Sequence, residues 1–300
     1  MTATSEPPFG RFVASPAYAR LLDFAQRAPR NGFGKQLARL ARALYLWRAP
    51  LPVDVEVEEL RLRCYLRDNT CERKFVFTPW RFDAAERGAI AAALPRDGVF
   101  VDIGANVGIY TLSAAMRLGN SGRIVAIEPY PPAYERLRFN IDATRAGRAE
   151  WPRIDALAFG VADRPEFREL TIDPGNLGGG SITPARARFS TPVAGGRVRI
   201  ECRPLLGILA DLGVDRIDAL KIDIEGAEDC ALAPFLDGAP PALLPRRLAI
   251  ENSDHLWKTD LRGAITRHGY RVEVRTRLNT VYARQEMGTF HIFTFPGRHR

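Results

Sequence analysis

Lysine is nearly missing from this chain of 300 residues: of 43 Lys+Arg, only Lys35, Lys74, Lys221 and Lys258 are lysines. Arginine stands almost everywhere a solvated cation would do, scattered singly and without a recognition motif of the kinds nucleic-acid binders use, so no nucleic-acid partner is expected. Cysteine is scarce too. Cys64, Cys71, Cys202 and Cys230 match neither a CxxC pair nor a zinc ribbon, which excludes a disulfide framework and leaves reduced, mostly buried thiols. Long apolar runs are absent. The longest uncharged stretch, Ile103 to Met116, is 14 residues and contains Gly and Asn, short of the ~20 needed to span a bilayer. The opening MTATSEPPFGRF lacks the basic region and apolar run of a secretory signal, so a cytoplasmic location is expected.

What is present suffices for a folded protein. A hydrophobic share of 46% and a charged share of 26% exclude disorder of the whole chain. The net charge of +8 sits at the ends: residues 1–50 carry 8 Lys+Arg against 2 Asp+Glu, and residues 262–300 again 8 against 2. Tyr18, Leu21, Leu22 and Ala25 repeat at helical spacing, as do Leu37, Leu40, Ala41 and Leu44 after a glycine break. Two short amphipathic helices with basic outer faces follow, read as a cap on the main domain. The same pattern, with Lys35, Arg39 and Arg42 opposite a stripe ending at Tyr45, Leu46 and Trp47, also suits peripheral contact with a membrane surface. Residues 53–78 alternate in strand fashion (Val53, Val55, Val57, Leu60, Leu62, Phe75, Phe77) and predict a small antiparallel hairpin region.

From about residue 83 helices alternate with short apolar strands, the texture of parallel βα units and an open α/β sheet. We therefore expect an extension over 1–82 and a main domain over 83–300. Strands are predicted at 99–103, 124–127, 154–159, 217–222 and 248–250, with closing strands at 270–274 and 289–295. The segment Gly175–Ser181 is glycine-rich, as mobile lids and ordinary surface loops both are.

Three segments carry the chemistry. In Val101-Asp102-Ile103-Gly104-Ala105-Asn106-Val107-Gly108 an apolar strand runs into a glycine turn at a helix start, where free N–H groups and the helix dipole favour a nucleotide or a carboxylate. The dinucleotide pattern Gly-x-Gly-x-x-Gly fails, because its second and third positions are Asn106 and Ile109. S-adenosylmethionine is the better fit, its carboxylate taking N–H groups near Gly104 to Val107 and its ammonium meeting Asp102. Glu128, followed by Pro129 at the end of the next strand, is placed to accept ribose hydroxyls. Phe159, Gly160 and Asp163 follow the third strand and could flank adenine. In Leu220-Lys221-Ile222-Asp223-Ile224-Glu225-Gly226-Ala227-Glu228, charges alternate along the end of a central strand, where burial is costly unless they are paired or used.

Together these segments resemble the FkbM family of S-adenosylmethionine-dependent methyltransferases over about residues 96–275. The resemblance implies a Rossmann-like class I methyltransferase fold, a seven-stranded, mostly parallel sheet whose last strand is antiparallel. It also implies O-methylation of a hydroxyl on a sugar, glycan, polyketide or related secondary metabolite. It assigns Asp102, Gly104, Asn106 and Gly108 to the methionine part, Glu128 to the ribose, and Lys221, Asp223 and Glu225 to the reacting centre. In-line methyl transfer needs a base for the acceptor proton. The candidates are Asp223, Glu225, Lys221 if its pKa is depressed, and His255. Asp223, Glu251 and Asn252 resemble the oxygen ligands with which metal-dependent O-methyltransferases hold Mg²⁺. Tyr45, Trp47 and Trp80 are available to line an acceptor pocket. The alternatives are a nicotinamide-dependent dehydrogenase and a nucleic-acid-binding or nucleic-acid-methylating protein using the basic ends.

Overall fold

The computed structural model describes residues 6–173, 176–181 and 196–285. The chain opens with helices α1 (Pro16–Gln26) and α2 (Gly32–Arg48) and the hairpin β1 (Val53–Val57) and β2 (Leu60–Cys64). Two further helices follow, α3 (Thr70–Phe77) and α4 (Ala84–Ala93). Residues 70–77 thus form a helix where alternation suggested a strand. Glu72, Phe75, Val76 and Phe77 are all buried, so α3 is covered on too many sides to show a helical apolar period. The readable signal was its cap: the Asn69 side chain accepts a hydrogen bond from the Glu72 N–H.

The main sheet is built from β3 (Val99–Ile103), β4 (Arg123–Ile127), β5 (Arg153–Leu157), β10 (Ala219–Ile222), β11 (Arg247–Glu251), β12 (Tyr270–Arg275) and β13 (Asn279–Arg284). Its spatial order is β12-β13-β11-β10-β3-β4-β5. All neighbours are parallel except β13, which runs antiparallel to both β11 and β12. This is the class I methyltransferase sheet. The closing strand is 279–284; the segment 289–295 lies outside the described residues. The helices α5 (Ile109–Ala115), α6 (Pro131–Arg145), α7 (Leu205–Asp211), α8 (Glu228–Gly238) and α9 (Leu261–Arg267) complete the layers. No described helix is long and apolar enough to cross a membrane.

Between β5 and β10 a second sheet forms from β6 (Gly160–Val161), β7 (Glu166–Asp173), β8 (Asn176–Ser181) and β9 (Arg197–Arg203), in the order β6-β9-β7-β8. The glycine-rich run expected to be a loop is therefore mostly strand from Asn176 onward, and Gly175 lies outside the described residues.

Alternation along the main strands sorts side chains to two faces. Val101, Ile103, Val125, Ile127, Leu220, Ile222, Leu248 and Ile250 share one buried cluster with α7, α8 and α9. Phe100, Ile124, Ala126, Ala219, Ala249 and Val281 face the other way, into a cluster shared with α1, α2, the hairpin and α3. Asp102 and Lys221, two residues beyond Phe100 and Ala219, project on this second face and are paired in register on adjacent strands.

Candidate functional site

At the carboxyl ends of β3 and β10, where the strand order reverses, a cleft of about 1440 Å³ opens, part of it solvent at the mouth. Its walls include Gly104–Val107, Glu128–Tyr130, Gly160, Val161, Lys221, Asp223–Glu225 and Glu251. Three distant sequence segments thus meet at one sheet edge.

The glycines in the turn are there for packing. Gly104 has φ +73°, and a Cβ on it would lie 2.0 Å from the Asp223 carbonyl oxygen. Gly108 has φ +93°, and its Cβ would come within 2.7 Å of Leu137 Cδ1. The first glycine lets β10 close on the turn, and the second lets α6 close on α5. The expected row of free N–H groups is largely taken up. Gly104 and Ala105 donate to the Ile127 carbonyl at 2.9 and 3.0 Å, and Asn106 N–H donates to Glu128 Oε2 at 2.8 Å.

Glu128 is buried and ties the site together, since its Oε1 also accepts from Tyr130 N–H at 2.9 Å. Burial raises its pKa to about 7, with the two backbone hydrogen bonds opposing the shift. A carboxylate oxygen has two lone pairs, so both oxygens keep capacity for a ligand hydroxyl at the cleft wall. That is the observation by which S-adenosylmethionine fits here.

Asp102 is fully buried and is not among the cleft-lining residues, so it does not face a ligand ammonium as expected. Its Oδ2 accepts from Thr111 Oγ1 at 2.6 Å, and its Oδ1 has no hydrogen-bond partner but lies 3.7 Å from Lys221 Nζ. Burial pushes its pKa up against the pull of Lys221 and Thr111. Lys221 Nζ donates to the Gly104 carbonyl at 3.0 Å, sits 3.7 Å from Asp223 Oδ2 and lies 5.2 Å from the Tyr110 ring centre. Burial opposes its charge, but Asp223 and Asp102 outweigh that and raise its pKa. A lysine base needs the opposite shift, so Lys221 is held as an ammonium.

Glu225 adopts φ +58° at the end of the β10 segment. The loop carrying it is fastened by Glu228, whose Oε1 accepts from Ile224 N–H and Gly226 N–H, both at 3.1 Å. Glu228 Oε2 accepts from Ser253 Oγ and Trp257 Nε1. Asp223, Glu225 and Glu251 offer carboxylate oxygens within 4.8 Å of one another, the oxygen-rich donor set a divalent cation takes. Asn252 does not join them: its Oδ1 accepts from Thr280 Oγ1 at 2.6 Å and its Nδ2 donates to the Thr276 carbonyl at 3.0 Å.

Other expected residues also lie elsewhere. His255 is exposed in the turn Asp254–Leu256 and does not line the cleft. Phe159 packs against the core with Arg203 over its ring, and Asp163 is exposed and pairs with Arg168 and Arg164. Tyr45 is buried between Tyr18 and Phe77, and neither Trp47 nor Trp80 reaches the cleft.

The wall they were expected to supply comes from Thr70, Cys71 and Lys74 on α3, from Phe82 and Asp83, and from Tyr110, Leu278 and Asn279. Asp83 accepts from Tyr110 Oη at 3.1 Å, and burial raises its pKa, with Glu86 adding to the shift. Burial also pushes the Cys71 thiol up to about 12, which disfavours the thiolate there. One signal was available in the sequence: Lys74, like Lys221, is one of only four lysines. The extension is wired to the turn through two side-chain amides. Asn69 Nδ2 donates to Asn106 Oδ1 at 2.8 Å, while Asn140 donates to the Val107 carbonyl and accepts from Arg63 N–H on β2.

Residues 102–272 match the family model described as the methyltransferase FkbM domain. Over 218 residues the chain is 28% identical to the AMB antimetabolite synthetase AmbE of Pseudomonas aeruginosa, covering 61% of this chain and 10% of that protein. Over 181 residues it is 28% identical to the methyltransferase sdnD of Sordaria araneosa, covering 52% of this chain and 64% of that protein. The chain thus spans less than two-thirds of the length of either relative. Among solved structures it is similar to the precorrin-6y C5,15-methyltransferase of Geobacter metallireducens, at a TM-score of 0.40 and 17% identity, covering 67% of this chain and 87% of that one. The chain belongs to the FkbM family of S-adenosylmethionine-dependent methyltransferases.

Proposed function

We propose that this FkbM-family chain methylates a hydroxyl oxygen on a sugar, glycan or secondary metabolite. The carrying observation is the set of carboxylates, Asp83, Asp223, Glu225 and Glu251, lining the cleft beyond the glycine turn and Glu128. Carboxylates accept hydrogen bonds from hydroxyls and can take their protons.

Glu128 would hold the ribose hydroxyls of S-adenosylmethionine, and the turn 104–107 with Pro129, Tyr130, Gly160 and Val161 would form the rest of its wall. When bound, that cofactor supplies an electrophilic methyl group. Lys221 fixes Asp223 relative to the turn by bridging its carboxylate and the Gly104 carbonyl. Of the expected proton acceptors that line the cleft, Lys221 is set aside as an ammonium, which leaves Asp223 and Glu225, and Asp223 is assigned the acceptor proton.

The test is transfer of a labelled methyl group to a panel of polyols and hydroxylated metabolites, with recovery of the label in an ether. Asp223→Asn is expected to cut turnover by about 10²–10⁴-fold while S-adenosylhomocysteine still raises the melting temperature. Label found in an amine, or unchanged turnover in the variant, rejects the reading. The carboxylate cluster supports one addition: Asp223, Glu225 and Glu251 would hold Mg²⁺, which would lower the pKa of an acceptor hydroxyl. If calorimetric titration shows no Mg²⁺ binding and activity ignores the ion, the metal is removed from the proposal.

A further inference from the structure

Apart from Tyr45, helix α2 buries small residues, and it exposes large apolar ones. Its inward side is Gly34, Ala38, Ala41 and Tyr45. Outward stand Phe33 at 67%, Leu40 at 60%, Leu44 at 48% and Trp47 at 71% exposure. At 3.6 residues per turn, these four fall within about 60° of one another along the helix. They form a continuous stripe, not scattered apolar residues, and Phe24 on α1 is half exposed as well.

The charges on α2 itself have one sign. Helix α2 carries Lys35, Arg39, Arg42 and Arg48 and no acidic residue. Among the described residues none of these four cations is in an ion pair, and Arg48 lies over the Trp47 ring at 4.4 Å. Arg42 has its pKa lowered by burial and then by its neighbours Arg73 and Arg39, so the cations crowd one another without a counter-charge.

We propose that the outer face of α2 docks on an anionic lipid surface. An apolar stripe ending in Trp, flanked by Arg39 and Arg48, matches the boundary of a bilayer: the ring and aliphatic side chains enter the acyl edge while guanidinium groups meet phosphate headgroups. A second copy of this chain would bring Arg39 and Arg48 against their own like charges, so charge complementarity favours the lipid. The placement serves the cleft. Helix α3, which carries Thr70, Cys71 and Lys74 of the cleft wall, packs on both α1 and α2. The docking proposal does not depend on the nature of the methyl acceptor.

The full chain is to be sedimented with vesicles of phosphatidylcholine alone and of phosphatidylcholine mixed with phosphatidylglycerol. Binding is expected to the anionic vesicles only and to fall with added salt. The combined variant Phe33→Ser, Leu40→Ser, Leu44→Ser and Trp47→Ser is expected to lose it. The same variant keeps the thermal shift given by S-adenosylhomocysteine, which shows that the fold survives. Arg39→Gln with Arg48→Gln is expected to weaken partitioning roughly thirtyfold. Failure of the parent chain to bind anionic vesicles overturns the proposal, as does binding by the stripe variant equal to the parent's. So does a dimer in sedimentation velocity that the stripe variant turns into a monomer, since the face would then belong to a second copy.

Discussion

The two faces of the main sheet are made by the same strands, yet they bury different things. Against α7, α8 and α9 the strands present Val101, Ile103, Val125, Ile127, Leu220 and Ile222, a continuous layer of branched aliphatic side chains. Against the N-terminal layer they present Phe100, Ala126, Ala219 and Ala249, with Asp102 and Lys221 in adjacent register. The first face is mainly core, with Ile103 and Ile127 reaching the cleft at the strand ends. On the second, small side chains leave room at the strand ends, and a buried ion pair fills part of it. The room becomes a cleft because residues 69–83 roof it, clasping the glycine turn through Asn69 and Asn106. Both faces carry core, but the chemistry gathers on the second, and the N-terminal residues belong to that side.

Substitutions on the two faces should separate these roles. The largest effect is expected from Lys221→Met, which leaves Asp102 buried without its cation. About 3–5 kcal/mol of stability should go, and Asp102→Asn in the same chain should restore much of it. Urea denaturation decides this, and a single variant as stable as the parent would erase the contrast between faces.

Next comes a pH effect in the roof. Glu72 has its pKa raised from 4.5 to about 8 by burial, against Arg136, whose Nη1 is 3.9 Å away, and the hydrogen bond from Tyr65 N–H. The folded state keeps a proton that the unfolded chain releases, so the contribution of Glu72 is whole below pH 4.5 and is lost as pH rises toward 8. Glu72→Gln should therefore flatten the fall in stability across that window, recovering on the order of 3 kcal/mol at pH 7. An unchanged slope would show that Glu72 does not titrate there.

Asn69→Ala removes both the α3 cap and the clasp on Asn106. A loss of about 1–2 kcal/mol is expected, together with weaker S-adenosylhomocysteine binding by calorimetry. Unchanged affinity would mean that the roof does not shape the cofactor wall. The smallest effect belongs to the apolar face: Ile222→Val should cost about 0.5–1.5 kcal/mol in thermal unfolding, with cofactor affinity untouched.

Much of this was legible in advance because the parallel strands are short apolar runs bounded by turns, and Gly104, Glu128 and Asp223 stand at strand ends where open sheets bind ligands. What escaped has specific causes. Helix α3 was hidden by burial on several sides, although Asn69 and Glu72 marked its start. Asp102 looked like a ligand contact because it stands at a strand tip, but its alternation places it behind Lys221 and beside Thr111. Asn252 and Glu251 are neighbours at the end of β11, and the pleat sends one toward β13 and the other into the cleft. His255 was close in sequence to the strand end but is carried outward by a turn pinned to Glu228 through Ser253 and Trp257.

The sequence by itself determined the alternation of strands and helices through the parallel part of the main sheet, the edge at which the charged segments would gather and the family to which they belong, because these depend on local periodicity and spacing. Only the tertiary structure decided which charged side chains reach the cleft and which are buried as supports, and that α3 and Asp83 build the facing wall. Those outcomes depend on pairing across the chain, such as Lys221 with Asp102, 119 positions apart in sequence. Burial sets the cost of each charge through partners that no local pattern names.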